Sequence, residues 1–176
     1  MPQKAAVTLQ RTFARAMERI DENLSLAGIG PDLLEILARP FGCRWATHWK
    51  VDETKMQLYP ASIWQDKSVL TELLHRDTVR RQLSSEGLAG HVWRSKKPVW
   101  TTNIIQDICL TRSFEADGVD LHGGIWFALK TDTAVYGVIE MLGQKLEPVN
   151  EQVLLLIEQI GISLGFLIET AHMRNL

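Results

Sequence analysis

Glu140 stands in the middle of an apolar run, VYGVIEML, residues 135–142. A lone charge buried in apolar surroundings is too costly to persist, so Glu140 must meet either a cationic partner or a polar ligand. The preceding run, GGIWFAL at residues 123–129, carries Trp126 and Phe127, and the chain holds six tryptophans in all. An indole is a broad apolar wall with one N–H donor. These residue types suit recognition of a small molecule. They do not suit covalent chemistry: no Ser-His-Asp set, metal-spaced histidine cluster or phosphate loop occurs, so no enzyme activity, metal or cofactor is expected. Cys43 and Cys109 are the only two cysteines. They are too few for a disulfide framework or a cysteine-only zinc site, and are expected to be reduced thiols.

The elements that must position these residues follow from periodicity. Leu9, Phe13, Ala16 and Ile20 recur at four- and three-residue steps, predicting an amphipathic helix over about residues 5–24. Gly30-Pro31-Asp32 opens a second helix and Pro40 closes it. In RWATHWKV, residues 44–51, Trp45, Thr47, Trp49 and Val51 alternate with Arg44, Ala46, His48 and Lys50, which predicts a strand; His48 reads as a structural, hydrogen-bonded histidine. DETK turns the chain into MQLYPASIW, where Pro60 lacks a ladder donor and implies an edge or a bulge. Asp66 caps a helix to about Leu83, LAGHVWRSK is a short helix, and Pro98–Thr101 a short strand. A loop over 103–122 with a helical turn or two leads into the 123–144 hairpin. Asn150 caps the last helix, with Glu151 in its first turn. His75, His91 and His172 fall on helices and are expected in solvent. Helices grouped around a mostly antiparallel sheet make an α+β domain.

Composition narrows the function. The 176 residues fit one domain, and 45% hydrophobic with 23% charged content supports a real core. A net charge of −2 argues against a nucleic-acid surface. The run Val153–Ile157 is too short to cross a bilayer and no signal-like segment opens the chain, so a cytoplasmic protein without membrane contact is expected.

Three segments in order then carry a resemblance. EGLAGHVWRSKKPVWTTNI (86–104), LTRSFEADGVDLHGGIWFALKTDTAVYGVIEML (110–142) and EPVNEQVLLLIEQIGISLGFLIE (147–169) together resemble a GAF domain, over nearly the whole chain from about residue 25. The resemblance implies a GAF domain over 25–176 with a signalling helix at 1–24, a central antiparallel sheet, terminal helices on one face and a small-molecule pocket on the other. It further implies a regulatory module of bacterial signal transduction, of two-component type, feeding a histidine kinase, response regulator or cyclase. Within the implied pocket, Trp64, Trp93, Trp100 and Trp126 would be aromatic walls and Arg112, His122 and Glu140 polar handles, with Arg112 holding an anionic group at two points. Alternation in the hairpin lets only one of Trp126 and Phe127 face the pocket, and the donor of Trp126 favours it.

Specialised members of the family set limits. Bilin-binding relatives attach a tetrapyrrole to a loop cysteine with a histidine nearby; Cys109 is followed by Leu-Thr-Arg, and the next histidine is His122. Methionine-sulfoxide-reducing relatives need several pocket cysteines, which Cys43 and Cys109 do not supply. Cyclic-nucleotide-binding relatives carry an Asn-Lys-Phe-Asp-Glu constellation, and Asn103 lacks its Lys and Phe. A ligand-free dimerisation scaffold and a tetrapyrrole photoreceptor remain as the alternatives. The last helix carries two apolar stripes: Val153, Ile157, Ile160, Leu164, Leu167 and Ala171 as a heptad seam, and Leu155, Ile162 and Phe166 as a second. The first stripe, with Leu9, Phe13 and Ile20 of the first helix, is expected to form a homodimer interface.

Overall fold

The computed structural model describes residues 2–23, 29–67, 75, 78–79, 83–84, 87–104 and 120–174. Helix α1 covers Pro2–Asn23, α2 Pro31–Ala38, α3 Leu88–Ser95 and α4 Glu151–Arg174. Strands are β1 Cys43–Asp52, β2 Gln57–Gln65, β3 Leu83–Ser84, β4 Val99–Thr101, β5 Gly123–Lys130 and β6 Val135–Gly143. They form one antiparallel sheet in the order β3-β2-β1-β6-β5-β4. Local chemistry sets the boundaries. Pro31 opens α2, a 3-10 turn at Arg39–Phe41 closes it, and Gly42, at φ +72°, redirects the chain into β1. At the other end Asn150 Oδ1 accepts from the Val153 amide at 3.1 Å, the expected N-cap of α4.

Pro60 produces the expected irregularity. The β1–β2 register shifts between His48 and Trp49, with Trp49 opposite Pro60 and His48 opposite Ser62. Both faces of the two central strands are covered, since every residue of β5 from Gly123 to Leu129 is buried. That is why both runs of the hairpin are apolar. One face packs on α1, α2 and α4 through Ala46, Ile125, Phe127, Leu129, Ile139 and Met141; the other holds a second core cluster against α3. Helix α4 has the length and mean hydropathy, 1.7, of a membrane span. Here it serves as a core helix, with Val153, Ile157, Ile160 and Leu164 buried on the sheet.

That packing corrects the dimer assignment. Leu9, Val153, Ile157, Ile160 and Leu164 are all 5% exposed or less within the chain's own core, and Phe13 and Leu167 pack against the same core. The five buried residues are not available to a second copy, whereas Phe13 and Leu167 are half-buried. The Ile20 side chain lies outside what is described. The stripe left outward is the other one: Leu155 and Phe166 are 58% and 61% exposed, with Met173 at 65% below them. Periodicity located two stripes on one helix; which of them meets the sheet depends on the angle at which α4 docks.

Candidate functional site

The site is built on the sheet face opposite α1 and α4. Trp45, Thr47 and Trp49 of β1 alternate onto it, as do Val138, Glu140 and Leu142 of β6 and Trp126 and Ala128 of β5. Residues opposite each other in neighbouring strands share a face. Thr47 is opposite Glu140, and Glu140 is opposite Trp126, so a polar line crosses three central strands. Trp126 Nε1 donates to Glu140 Oε2 at 3.0 Å, and Trp45 Nε1 donates to Thr47 Oγ1 at 2.9 Å. All four residues are 3% exposed or less. Leu88, Ala89, Val92 and Trp93 of α3, with Ile104 and Leu121, complete the cluster above them.

Three of the expected site residues are therefore united: Trp93, Trp126 and Glu140. Trp126 is the inward member of its pair as expected, while Phe127 packs on the helical side. The indole N–H of Trp126 is engaged by Glu140 rather than left for a ligand.

Three expected site residues, Trp64, Trp100 and His122, require correction. Trp64 pairs with Ala46 and Trp100 with Ile125, so both lie on the helix-facing side. Trp64 carries the Arg39 guanidinium 5.2 Å above its ring, a cation–π contact. Trp100 stacks edge-on against Phe41 at 5.9 Å and donates from Nε1 to the Glu147 carbonyl at 3.0 Å. The physical reason is strand register: a single-residue offset reverses the face, and composition alone does not fix it. His122 does not join the cluster either. Its ring is 49% exposed, with Nε2 2.6 Å from Asp120 Oδ1. Arg112 and Cys109 lie outside the described residues.

His48 is corrected in a different sense. It is buried, as expected, but neither ring nitrogen has a hydrogen-bond partner among the described residues. Burial, and secondarily the Lys50 charge, pushes its pKa down to about 4. Its ring packs over Gly137, where an added Cβ would come within 2.6 Å of Nε2 and 2.5 Å of the Trp49 carbonyl oxygen. Gly137 thus admits a close approach by the chain itself. His75, His91 and His172 are exposed, as expected. The residues missed were Trp45, Thr47 and Trp49. Their signal was in the sequence, because they alternate on β1, and Glu140 required a polar neighbour on the adjacent strand.

The GAF domain family model matches residues 23–169. The chain belongs to the GAF domain family. Sequence comparison with curated proteins gives no match. Among solved structures, the GAF fold is shared with free methionine-R-sulfoxide reductase from Neisseria meningitidis, determined with its substrate, at TM-score 0.74 and 16% identity; the alignment covers 97% of this chain and 93% of that one. The GAF domain of a phosphoenolpyruvate-protein phosphotransferase from Coxiella burnetii aligns at TM-score 0.72 and 12% identity, over 97% and 98% of the two chains. The A. aeolicus nlh2 GAF domain, in an inactive state, aligns at 0.69 and 15%, over 94% and 98%. At these identities the neighbours show the fold. GAF domains are a regulatory and sensory family.

Proposed function

We propose that this GAF domain is a non-catalytic sensory module. It binds a small ligand on the Trp126–Glu140 face and passes a population shift through its terminal helices to an output domain. One observation carries the reading: Glu140 is a carboxylate buried among indoles, on the face turned away from α1 and α4. Ligand sites are mostly apolar with a few placed polar groups, and this face has that composition. Cys43 gives a catalytic reading no support, because it packs on the helix-facing side and burial pushes its thiol up to about 12. A thiol so rarely ionised is a poor nucleophile. Cys109 lies outside the described residues.

The output route is α4 together with a second copy. The outward stripe of Leu155, Phe166 and Met173, with half-buried Ile162 between them, has the spacing of a helix-pairing seam. The proposed setting is a cytoplasmic bacterial signalling protein of two-component type, whose output is a histidine kinase, response regulator or cyclase. Full switching between two helix arrangements would take roughly 5.5 kcal/mol of differential binding, so a small ligand supplies a partial bias. A second reading, a ligand-free dimerisation scaffold, draws on the complete burial of Trp45 and Trp49 by the chain's own atoms. Native mass spectrometry of freshly purified protein separates the two. A dimer carrying a retained small mass is the expected result; a bare dimer that no metabolite pool can load supports the scaffold, and a monomer removes the proposed output route.

A further inference from the structure

Lys130 ends β5 on the sheet and reaches in two directions at once. Its ammonium donates to the Lys96 carbonyl at 2.7 Å and lies 2.6 Å from Glu158 Oε1 of α4. The side chains of Lys130 and Glu158 are only 13% and 12% exposed, so solvent weakens the pair far less than a surface ion pair. Glu158 is held below the usual carboxylate range, first by its hydrogen bond from Lys130. Lys97 Nζ, at 3.5 Å from the same oxygen, is 70% exposed and adds little.

Lys96 is the C-cap of α3. Its amide donates to the Val92 carbonyl at 2.8 Å, and it adopts the left-handed conformation at φ +57°. A non-glycine residue resists that conformation, and a cation on the cap carbonyl stabilises the helix end through the helix dipole. Val92 and Trp93, one turn earlier, sit in the cluster above Trp126 and Glu140. On the other side of the sheet, Gly161 and Gly165 share the sheet-facing side of α4 with Glu158. A Cβ at Gly161 would collide with the Ala128 carbonyl, and one at Gly165 with the Lys130 backbone. Helix α4 is therefore seated on the β5 backbone at the point where Lys130 holds α3.

We infer that Lys130 is the coupling residue of this domain: it ties the helix over the candidate ligand face to the C-terminal helix on the opposite face, so that movement of α3 changes the seating of α4. The inference rests on the proposed sensory reading for its purpose, but not for its test, which uses no ligand. Val92→Ala loosens α3 from the ligand face. Amide hydrogen exchange is then followed in α3 and in residues 154–162 of α4, normalised to global stability from denaturant unfolding. In an otherwise wild-type chain, Val92→Ala should speed exchange in both segments, by about five-fold or more in α4. With Lys130→Met added, the α3 effect should persist and the α4 effect should vanish. Glu158→Gln, a milder cut of the same link, should reduce it, and serves in place of Lys130→Met if that variant does not fold. Tyr136→Phe, which removes a different anchor of α4 on Glu169, should leave it intact. An α4 response that is equal with and without the Lys130–Glu158 link overturns the inference, as does an α4 that never responds to Val92→Ala. Either outcome leaves ligand binding open, and a failed ligand search leaves this coupling standing.

Discussion

Replacing His48 with leucine should change how stability depends on pH, by an amount the structure sets. His48 is 2% exposed and unpartnered at both nitrogens among the described residues, and its pKa falls from 6.5 to about 4. The unfolded chain therefore binds a proton near pH 6.5, whereas the native protein resists it down to about pH 4. Where the unfolded state holds more protons, stability falls as pH falls. The loss begins near pH 6.5 and levels off below about pH 4. The gap of about 2.5 in pKa, at about 1.4 kcal/mol each, gives a loss of about 3 kcal/mol from this residue between neutral pH and pH 4. Asp52, Glu158 and Glu169, whose pKa values are lowered, also lose stability on acidification, but they do so equally in both proteins. The difference between wild type and His48→Leu in urea unfolding, measured at pH 7 and pH 4, isolates the histidine. It should move by about 3 kcal/mol in favour of the leucine variant as pH falls. A difference that stays constant within about 0.5 kcal/mol, or an NMR titration of His48 near 6.5, would refute the reasoning.

Further outcomes follow from other contacts. Glu140→Ala should cost about 1–3 kcal/mol in denaturant unfolding by leaving the buried Trp126 N–H without its acceptor, while Glu140→Gln, which keeps an acceptor, should cost less. Phe166→Glu should shift the protein to monomer in analytical ultracentrifugation with its melting temperature nearly unchanged. Leu164→Glu should instead unfold it, because Leu164 is 1% exposed in the chain's own core. Gly161→Ala should lower stability by about 1–3 kcal/mol through collision with the Ala128 carbonyl, read by thermal melting. Cys43 should resist a thiol reagent in the native protein and react on denaturation, since burial keeps it protonated.

The sequence was most legible where one signal decided one element. Pro31, Pro40 and Asn150 marked helix ends, alternation marked β1, and Pro60 marked the irregularity opposite Trp49. Glu140 was recognisable as a site residue because a buried charge demands an explanation, and its partner Trp126 lay on the paired strand. Legibility failed where two strands had to be registered against each other. Trp64 and Trp100 looked equivalent to Trp93 and Trp126 until their pairing with Ala46 and Ile125 put them on the other face. It failed again on α4, whose two apolar stripes are alike in composition and are distinguished by Gly161 and Gly165, which let one side reach the β5 backbone. Those glycines were visible in the sequence, but the backbone they approach was not. His48 shows a third limit, because its burial followed from alternation whereas its missing hydrogen-bond partners depend on what packs above it.

The central claim, that the Trp126–Glu140 face receives a small ligand, is tested most directly by a thermal-shift screen against a library of small polar metabolites. Wild type and Glu140→Gln should be run side by side. At least one compound should raise the wild-type melting temperature in a concentration-dependent way and lose most of that effect in Glu140→Gln. A library that stabilises neither protein, or a compound that stabilises both equally, would contradict it.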